Sequence, residues 1–369
     1  MDVIFGNLFN ITWQHAVMWL IGGVLIYLAI KKDMEPTLLL PMGFGAILVN
    51  LPLSGAVTQG AEEGVIDILF NAGIANELFP LLLFIGIGAM IDFGPLLSNP
   101  KLMLFGAAAQ FGIFMTLSLA TLFGFDIKDA ASIAIIGAAD GPTSIFVANY
   151  FKTEYVGAIV VAAYSYMALV PIVQPPVIKL LTTKKERRIR MPYNPKKVSK
   201  LTKILFPIII TVITGIVSPK SVSLIGFLMF GNLIRECGVL NNLSETAQKS
   251  LANLVTILLG ITISTKMQAA AFLRAETLMI IGLGLVAFIF DTAGGVLFAK
   301  FLNLFTKKKI NPMIGAAGIS AFPMSSRVVH KMGLAEDNQN FLLMHSTGVN
   351  VSGQIASVIA GGLILNILG

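Results

Sequence analysis

A single carboxylate marks where this chain is built to do chemistry. Asp140 lies in Ile136-Gly137-Ala138-Ala139-Asp140-Gly141-Pro142-Thr143, inside an otherwise apolar segment. There a carboxylate costs about 2.5 to 3.5 kcal/mol on membrane-insertion scales, so a function or a partner has to retain it. Gly141 and Pro142 loosen the backbone at the same point, because proline has no N–H and its ring disfavours helical geometry in the residue before it. Freed carbonyls, the carboxylate and the hydroxyls of Thr143 and Ser144 make an all-oxygen set, which suits a hard alkali cation. The same residues also describe a helix break in which Asp140 caps the next helix at the Thr143 or Ser144 amide. Capping and ion binding are compatible.

A second segment repeats the frame with the opposite charge. Asn311-Pro312 is followed by Ile314-Gly315-Ala316-Ala317, then Gly318-Ile319-Ser320-Ala321-Phe322-Pro323-Met324-Ser325-Ser326-Arg327. Arg327 suits an anionic group, a counter-ion role toward Asp140, or a structural salt bridge. Tyr166 and Asn350 are polar groups in the terminal apolar stretches of the two halves, each a packing polar or a ligand. Asp291, in Phe288-Ile289-Phe290-Asp291-Thr292-Ala293, is a second midmembrane carboxylate, with either a partner on a neighbouring helix or a part in transport. His330 and His345 are expected near helix ends, where a neutral imidazole is cheap.

The elements that hold these residues are membrane helices. Of 369 residues 56% are hydrophobic and 12% charged, and the mean hydropathy is +0.83, far above that of a soluble domain. The net charge of +7 comes from short basic clusters between apolar runs, a pattern of orientation signals that argues against nucleic acid as a partner. A single cysteine, Cys237, excludes an intrachain disulfide. The scattered histidines and carboxylates offer no bound metal cofactor, so the only metal expected is a transported cation. Met1 to Thr12 carries Asp2 and no Lys or Arg, unlike a cleavable signal peptide, so the first helix is expected to stay.

Long apolar stretches run over 13–30, 102–123, 156–181, 205–217, 278–302 and 342–368, several reaching the roughly 20 residues of a spanning helix. Shorter or Gly/Pro-interrupted ones lie at 37–53, 78–93, 132–150, 222–234, 251–263 and 310–329, where broken or re-entrant helices are expected to line a cavity. Ile136-Gly137-Ala138-Ala139 recurs 178 residues later, Leu102-Met103 recurs 176 later as Leu278-Met279, and Phe44-Gly45 recurs 186 later as Phe230-Gly231. Collinear matches imply a duplication with halves 1–183 and 203–369 joined by a basic linker, 184–202. Lys31-Lys32, the linker and Lys307-Lys308-Lys309 mark the cytoplasmic side. One half then begins outside and the other inside, as in inverted-repeat transporters with a site between the repeats. The segment 132–150 is the best candidate for one that fails to cross. The linker anchors orientation or docks a soluble partner.

These motifs resemble a family. Gly137 to Thr143, Ala163-Tyr164-Ser165-Tyr166-Met167-Ala168-Leu169-Val170-Pro171 with Gln174-Pro175-Pro176, Gly318 to Pro323 and Glu35 to Gly45 closely resemble the beta subunits of the sodium-pumping biotin-dependent decarboxylases, across nearly the whole chain. The resemblance implies a translocase in the bacterial cytoplasmic membrane that decarboxylates carboxybiotin, consumes a proton and exports Na⁺. It implies an all-α polytopic fold with inverted repeats, a scaffold and a moving core working as an elevator, in oligomers. Motif by motif, the functional carboxylate falls on Asp140, the tyrosine on Tyr166, and the polar set on Asn311, Gly315, Ser320 and Arg327. Asp140, Ser320 and Asn350 are the implied Na⁺ ligands.

Loss of CO₂ from N-carboxybiotin is assisted when the carboxylate leaves water and the ring nitrogen receives a proton. On this reading Tyr166 is the proton donor, Arg327 orients the carboxyl, and Na⁺ at Asp140 displaces a proton. The chain has no Met-Lys-Met sequence of the kind that is biotinylated. Biotin therefore arrives on a carrier subunit, with a carboxyltransferase alpha subunit and a small single-span membrane subunit as further partners. The rival reading is a free-standing cation antiporter or Na⁺-coupled symporter. A third is a membrane scaffold without transport.

Overall fold

A computed structural model describes residues 9–32, 36–59, 62–193 and 197–369. Asp2, Glu35 and Lys196 fall outside them. Apart from an isolated bridge between Gln59 and Glu62, the regular structure among the described residues is helical. Seven helical runs there are long and apolar enough to cross a membrane, and a bent pair, Val65–Ala75 with Leu78–Met90 at 59°, makes an eighth if taken as one span.

The main helices are α1 (Trp13–Lys32), α2 (Pro36–Val49), α3 (Val65–Phe70), α4 (Leu78–Met90), α5 (Met103–Ala109), α6 (Phe111–Leu122), α7 (Ile127–Ala134), α8 (Gly141–Phe151), α9 (Val156–Leu181), α10 (Lys200–Val217), α11 (Val222–Glu236), α12 (Ala252–Ile263), α13 (Ala275–Phe305), α14 (Met324–Glu336) and α15 (Leu343–Leu368). In lipid, helices gain little from burying apolar surface against one another, so small residues that let backbones approach decide the packing. Gly22 of α1 and Gly43 of α2 face each other so closely that a methyl on either would stand 2.6 Å from the other's carbonyl oxygen. Gly88 of α4 and Gly231 of α11 likewise each lie against the backbone of the other helix, at Leu228 and Ile85.

Two apolar cores result. One joins α1, α2, α4 and α12 to Ile145, Val160 and Tyr164. The other gathers α5, α11, α13 and α15 around Ile314, Ala316 and Ala317. Two breaks in the helices lie between them, and a small cluster of Ala139, Val170, Phe288, Ile319 and Ala321 joins the breaks. The first break follows α7, where a 3₁₀ turn over Ile135–Ala138 ends in Ala139 with a left-handed φ of 51°. The second follows the 3₁₀ turn Pro312–Gly318, is extended at Ile319 and reaches Pro323 through a bend and a turn. The two are tied together, since the Ser320 N–H donates to the Ala138 carbonyl at 2.9 Å.

Asp291 finds its partner on a neighbouring helix. The chain turns at Gln110 between α5 and α6, where the Ile113 N–H donates to the Gln110 carbonyl. The buried Asp291 carboxylate accepts the neighbouring Gly112 N–H at 2.5 Å. His345 lies in the first turn of α15, as expected, and His330 lies inside α14.

The basic linker is fastened to the second half. Arg187 pairs with Glu336 at 2.6 Å and Arg190 with Asp337 at 2.6 Å, while Lys300 near the end of α13 meets Glu186 at 3.3 Å. The linker and the Lys307–Lys309 cluster therefore share one face. The Arg187 hydrogen bond holds the Glu336 carboxyl below the usual carboxylate range, and Arg190 followed by the Gln339 amide does the same for Asp337. A depressed pKa contributes stability that is present above the unfolded carboxyl's pKa and is lost as pH falls through the folded value. Hydrogen exchange of the linker amides, taken relative to the intrinsic rate at each pH, is accordingly expected to accelerate as pH falls below the ordinary carboxylate range, near pH 4 on the usual reference values, before the bundle itself opens. Unchanged protection down to pH 3 would show that the pairs do not fasten it.

Candidate functional site

Asp140 is buried at the first break. Its Oδ1 accepts the Thr143 N–H at 3.3 Å, so it caps α8 in the way the Asp-Gly-Pro-Thr order suggests. Its Oδ2 accepts the Thr143 hydroxyl at 2.8 Å and the Ser357 hydroxyl at 2.8 Å. The Ser144 hydroxyl donates to the Asp140 carbonyl at 2.8 Å. No cation is among its partners in the described residues. Neutral hydroxyls and one amide are what stabilise this carboxylate.

α15 supplies the opposite wall. Asn350, Gln354 and Ser357 lie three and four residues apart and so share a helix face. The Asn350 amide donates to the Ile319 carbonyl at 2.7 Å, and the Gln354 amide donates to the Ser320 carbonyl. Each spends its NH₂ on the second break and leaves its oxygen, Asn350 Oδ1 or Gln354 Oε1, buried without a donor among the described residues. The Ser320 hydroxyl donates to the Gly353 carbonyl at 3.0 Å. From α9, buried Gln174 donates to the Ala316 carbonyl at 2.7 Å and to Ser325 Oγ at 2.8 Å, which holds the turn before the second break. Unspent buried oxygens beside a carboxylate are the donor set of a hard monovalent cation.

Next to these groups is a cavity of about 200 Å³, lined by Asp140, Tyr164, Ser320 and Gln354 together with Thr256 of α12 and apolar side chains. It is small and closed on one side by the breaks, with Thr37, Gln248 and Asn253 also on its wall. A guest that fills a space of this size sheds much of its hydration, and a charge held there is screened less than in water.

Asp140 and Ser320 line this one cavity, Asn350 holds the Ile319 carbonyl beside Ser320, and the other candidates lie elsewhere. The Tyr166 hydroxyl donates to the Ile281 carbonyl, and its ring packs against Gly284 and Ile136. Arg327 is exposed, with no salt bridge among the described residues and none to Asp140. Asn311 donates to the carbonyls of Arg187 and Ile189, both at 2.9 Å, and so holds the linker. Gly315 is in backbone contact with Gly295 of α13. Tyr164, Gln354 and Ser357 were not singled out from the sequence, although the spacing of the last two from Asn350 carried the signal.

Ser357 offers a test of the arrangement. Hydrogen bonds to a charged group contribute about 1.5 to 3 kcal/mol, and this one favours the ionised form that binds a cation. Ser357→Ala is expected to raise the Na⁺ concentration for half-maximal activity about tenfold, read from a Na⁺ titration at fixed pH. An unchanged titration would remove Ser357 from the site.

Comparison with known proteins covers nearly the whole chain. The family model described as the Na⁺-transporting oxaloacetate decarboxylase beta subunit matches residues 14–368. The glutaconyl-CoA decarboxylase subunit beta of Acidaminococcus fermentans is 50% identical over 358 residues, covering 97% of this chain and 94% of that one. The methylmalonyl-CoA decarboxylase subunit beta of Propionigenium modestum is 47% identical over 383 residues, covering 98% and 96%. The oxaloacetate decarboxylase beta chain of Klebsiella pneumoniae is 44% identical over 409 residues, covering 95% and 94%. With a helical membrane fold, a buried carboxylate at paired helix breaks and full-length matches of this kind, the chain belongs to the family of Na⁺-transporting decarboxylase beta subunits.

Proposed function

We propose that this chain is the membrane subunit that removes CO₂ from carboxybiotin and couples that step to Na⁺ export, with Asp140 as the point of coupling. The observation that carries the reading is a buried carboxylate held only by neutral donors, in a cavity that it shares with Gln354, whose carboxamide oxygen has no donor among the described residues. A monovalent cation at Asp140 suits that carboxylate. Na⁺ arriving there displaces the proton that otherwise neutralises Asp140. Loss of CO₂ breaks the N–C bond of carboxybiotin and leaves the electron pair on the ureido nitrogen, which takes up a proton. Ion entry and proton delivery thus meet at one group. The Tyr166 hydroxyl is engaged by the Ile281 carbonyl, and on this proposal the proton released from Asp140 serves the ureido nitrogen. Arg327 acts from the exposed surface, outside the Asp140 hydrogen-bond set.

The same proposal extends to the larger assembly. The repeated Ile-Gly-Ala-Ala turns lead into breaks that share a backbone hydrogen bond, which supports halves 1–183 and 203–369 as inverted repeats moving as an elevator. A biotin carrier, a carboxyltransferase alpha subunit and a single-span subunit complete the complex, in a bacterial cytoplasmic membrane and as a homo-oligomer. Lys184, Lys185 and Arg188 of the linker are exposed and suit docking, whereas Arg187 is engaged in holding the linker. The test is to reconstitute the complex in liposomes and load the carrier with carboxybiotin. ²²Na⁺ should move in step with CO₂ release. Release at the same rate without Na⁺ would end the proposal.

A further inference from the structure

The phenol that serves the Asp140 cavity is Tyr164, and we infer that its hydroxyl is reserved for an oxygen of the carboxylated guest. The inference rests on the cavity being the site of carboxybiotin decarboxylation. Tyr164 is 1% exposed and lines the cavity together with Asp140, Ser320 and Gln354. Its ring lies flat against Gly141, where a methyl group would overlap Cζ and both Cε atoms, so the hydroxyl-bearing end stands beside the residue that follows Asp140. That hydroxyl is buried without a hydrogen-bond partner among the described residues. Nearly every buried polar group in a folded protein is satisfied, so an unspent O–H at a cavity wall points to a partner that comes and goes. Tyr166, two positions on, differs in this respect because its hydroxyl is already spent on the Ile281 carbonyl.

What arrives can be narrowed by chemistry. An O–H without an acceptor is not satisfied by a cation, which takes the lone pairs and leaves the proton facing nothing. It is satisfied by a carbonyl or carboxylate oxygen. The guest that brings such an oxygen into the cavity is the carboxylated ureido ring, and a donor on its ureido carbonyl strengthens its bond as CO₂ leaves, because negative charge then builds on that oxygen. Tyr164 thus contacts the substrate, while Asp140 holds the ion. Gly141 is required for this placement, because any side chain there would displace the ring.

The experiment compares wild type, Tyr164→Phe and Asp140→Asn in the purified complex, reading two quantities: the single-turnover decay of ¹⁴C-carboxybiotin on the carrier at saturating Na⁺, and the Na⁺ concentration for half-maximal rate. Tyr164→Phe should slow the decay about 10- to 100-fold, the effect of losing one hydrogen bond to a charged group, with the Na⁺ half-saturation within about twofold. 4-Aminophenylalanine at 164, which restores a donor, should recover most of the rate. If phenylalanine leaves a void that prevents assembly, 4-fluorophenylalanine fills the tyrosine volume without an O–H and should be as slow. Decay at the wild-type rate in either variant lacking the O–H, or a loss that excess Na⁺ restores, overturns the assignment. Should Asp140→Asn itself leave both quantities unchanged, the reading of the cavity fails instead.

Discussion

Replacing Asp140 by Asn is expected to abolish Na⁺ transport and Na⁺-dependent decarboxylation together, each by at least about a hundredfold. Asparagine is nearly the same size and caps a helix as well as aspartate does. Its Oδ1 can still accept the Thr143 N–H, while its NH₂ takes the place of Oδ2 and the Thr143 and Ser357 hydroxyls must turn to accept from it, so the cap at the first break should persist. The change removes the negative charge and one acceptor at nearly constant volume. In a buried site the loss of one partner from a charge pair costs about 3 to 5 kcal/mol, and each 1.4 kcal/mol is a factor of ten. ²²Na⁺ uptake and ¹⁴CO₂ release from the same proteoliposomes measure both halves of the claim. Decarboxylation that survives while transport stops would separate the two steps and refute coupling at this residue. Survival of both would favour a scaffold.

Much of this site was legible because its signals are local. Asp-Gly-Pro-Thr specifies a carboxylate cap and a break through the chemistry of those residues, and the structure shows both. The helix ends were readable for the same reason: 156–181 is bounded in the sequence where α9 begins and ends. What was missed depends on orientation about a helix axis. Tyr164 and Tyr166 are about 200° apart on α9 at 3.6 residues per turn, so only one can face the break, and nothing in the intervening residues says which. Asn311 looked like part of the site because it precedes a repeated turn. It faces the linker, a long-range contact no local pattern encodes. Arg327 and Asp140 were complementary in charge, yet complementarity in sequence sets no distance.

The fold was less legible where polar residues interrupt apolar ones. Residues 241–250 carry Glu245 and Lys249, and the apolar run seemed to start at 251. The helix instead begins at Asn241 and passes through a π turn at Ala247–Leu251, so the whole run reaches Met267. α3, with Asp67 in its first turn, was not anticipated. Short helices of this kind are stabilised by what they pack on and not by their own pattern.

Gly315→Ala should be the more destructive of the large-effect substitutions, through packing and not chemistry. Gly315 and Gly295 are reciprocal: a methyl on either would lie against the carbonyl of the other, far inside van der Waals contact. The obstacle on each side is backbone, which cannot rotate away as a side chain would, so α13 and the turn before the second break have to separate. Overpacking usually costs about 1 to 3 kcal/mol, and an overlap with backbone lies at or beyond the top of that range. Because that turn leads directly into Ser320 and carries the Ala316 carbonyl bound by Gln174, displacement should disorder the cavity even where the chain still inserts. The variant is expected to show reduced yield of assembled complex, a melting temperature lowered by several degrees and loss of activity that added Na⁺ does not recover. Gly295→Ala should reproduce all three, since it closes the same gap from α13. If Gly315→Ala instead assembled normally and lost only activity, its glycine would belong to the chemistry of the site, and the close approach of the two backbones would not be what the residue is for.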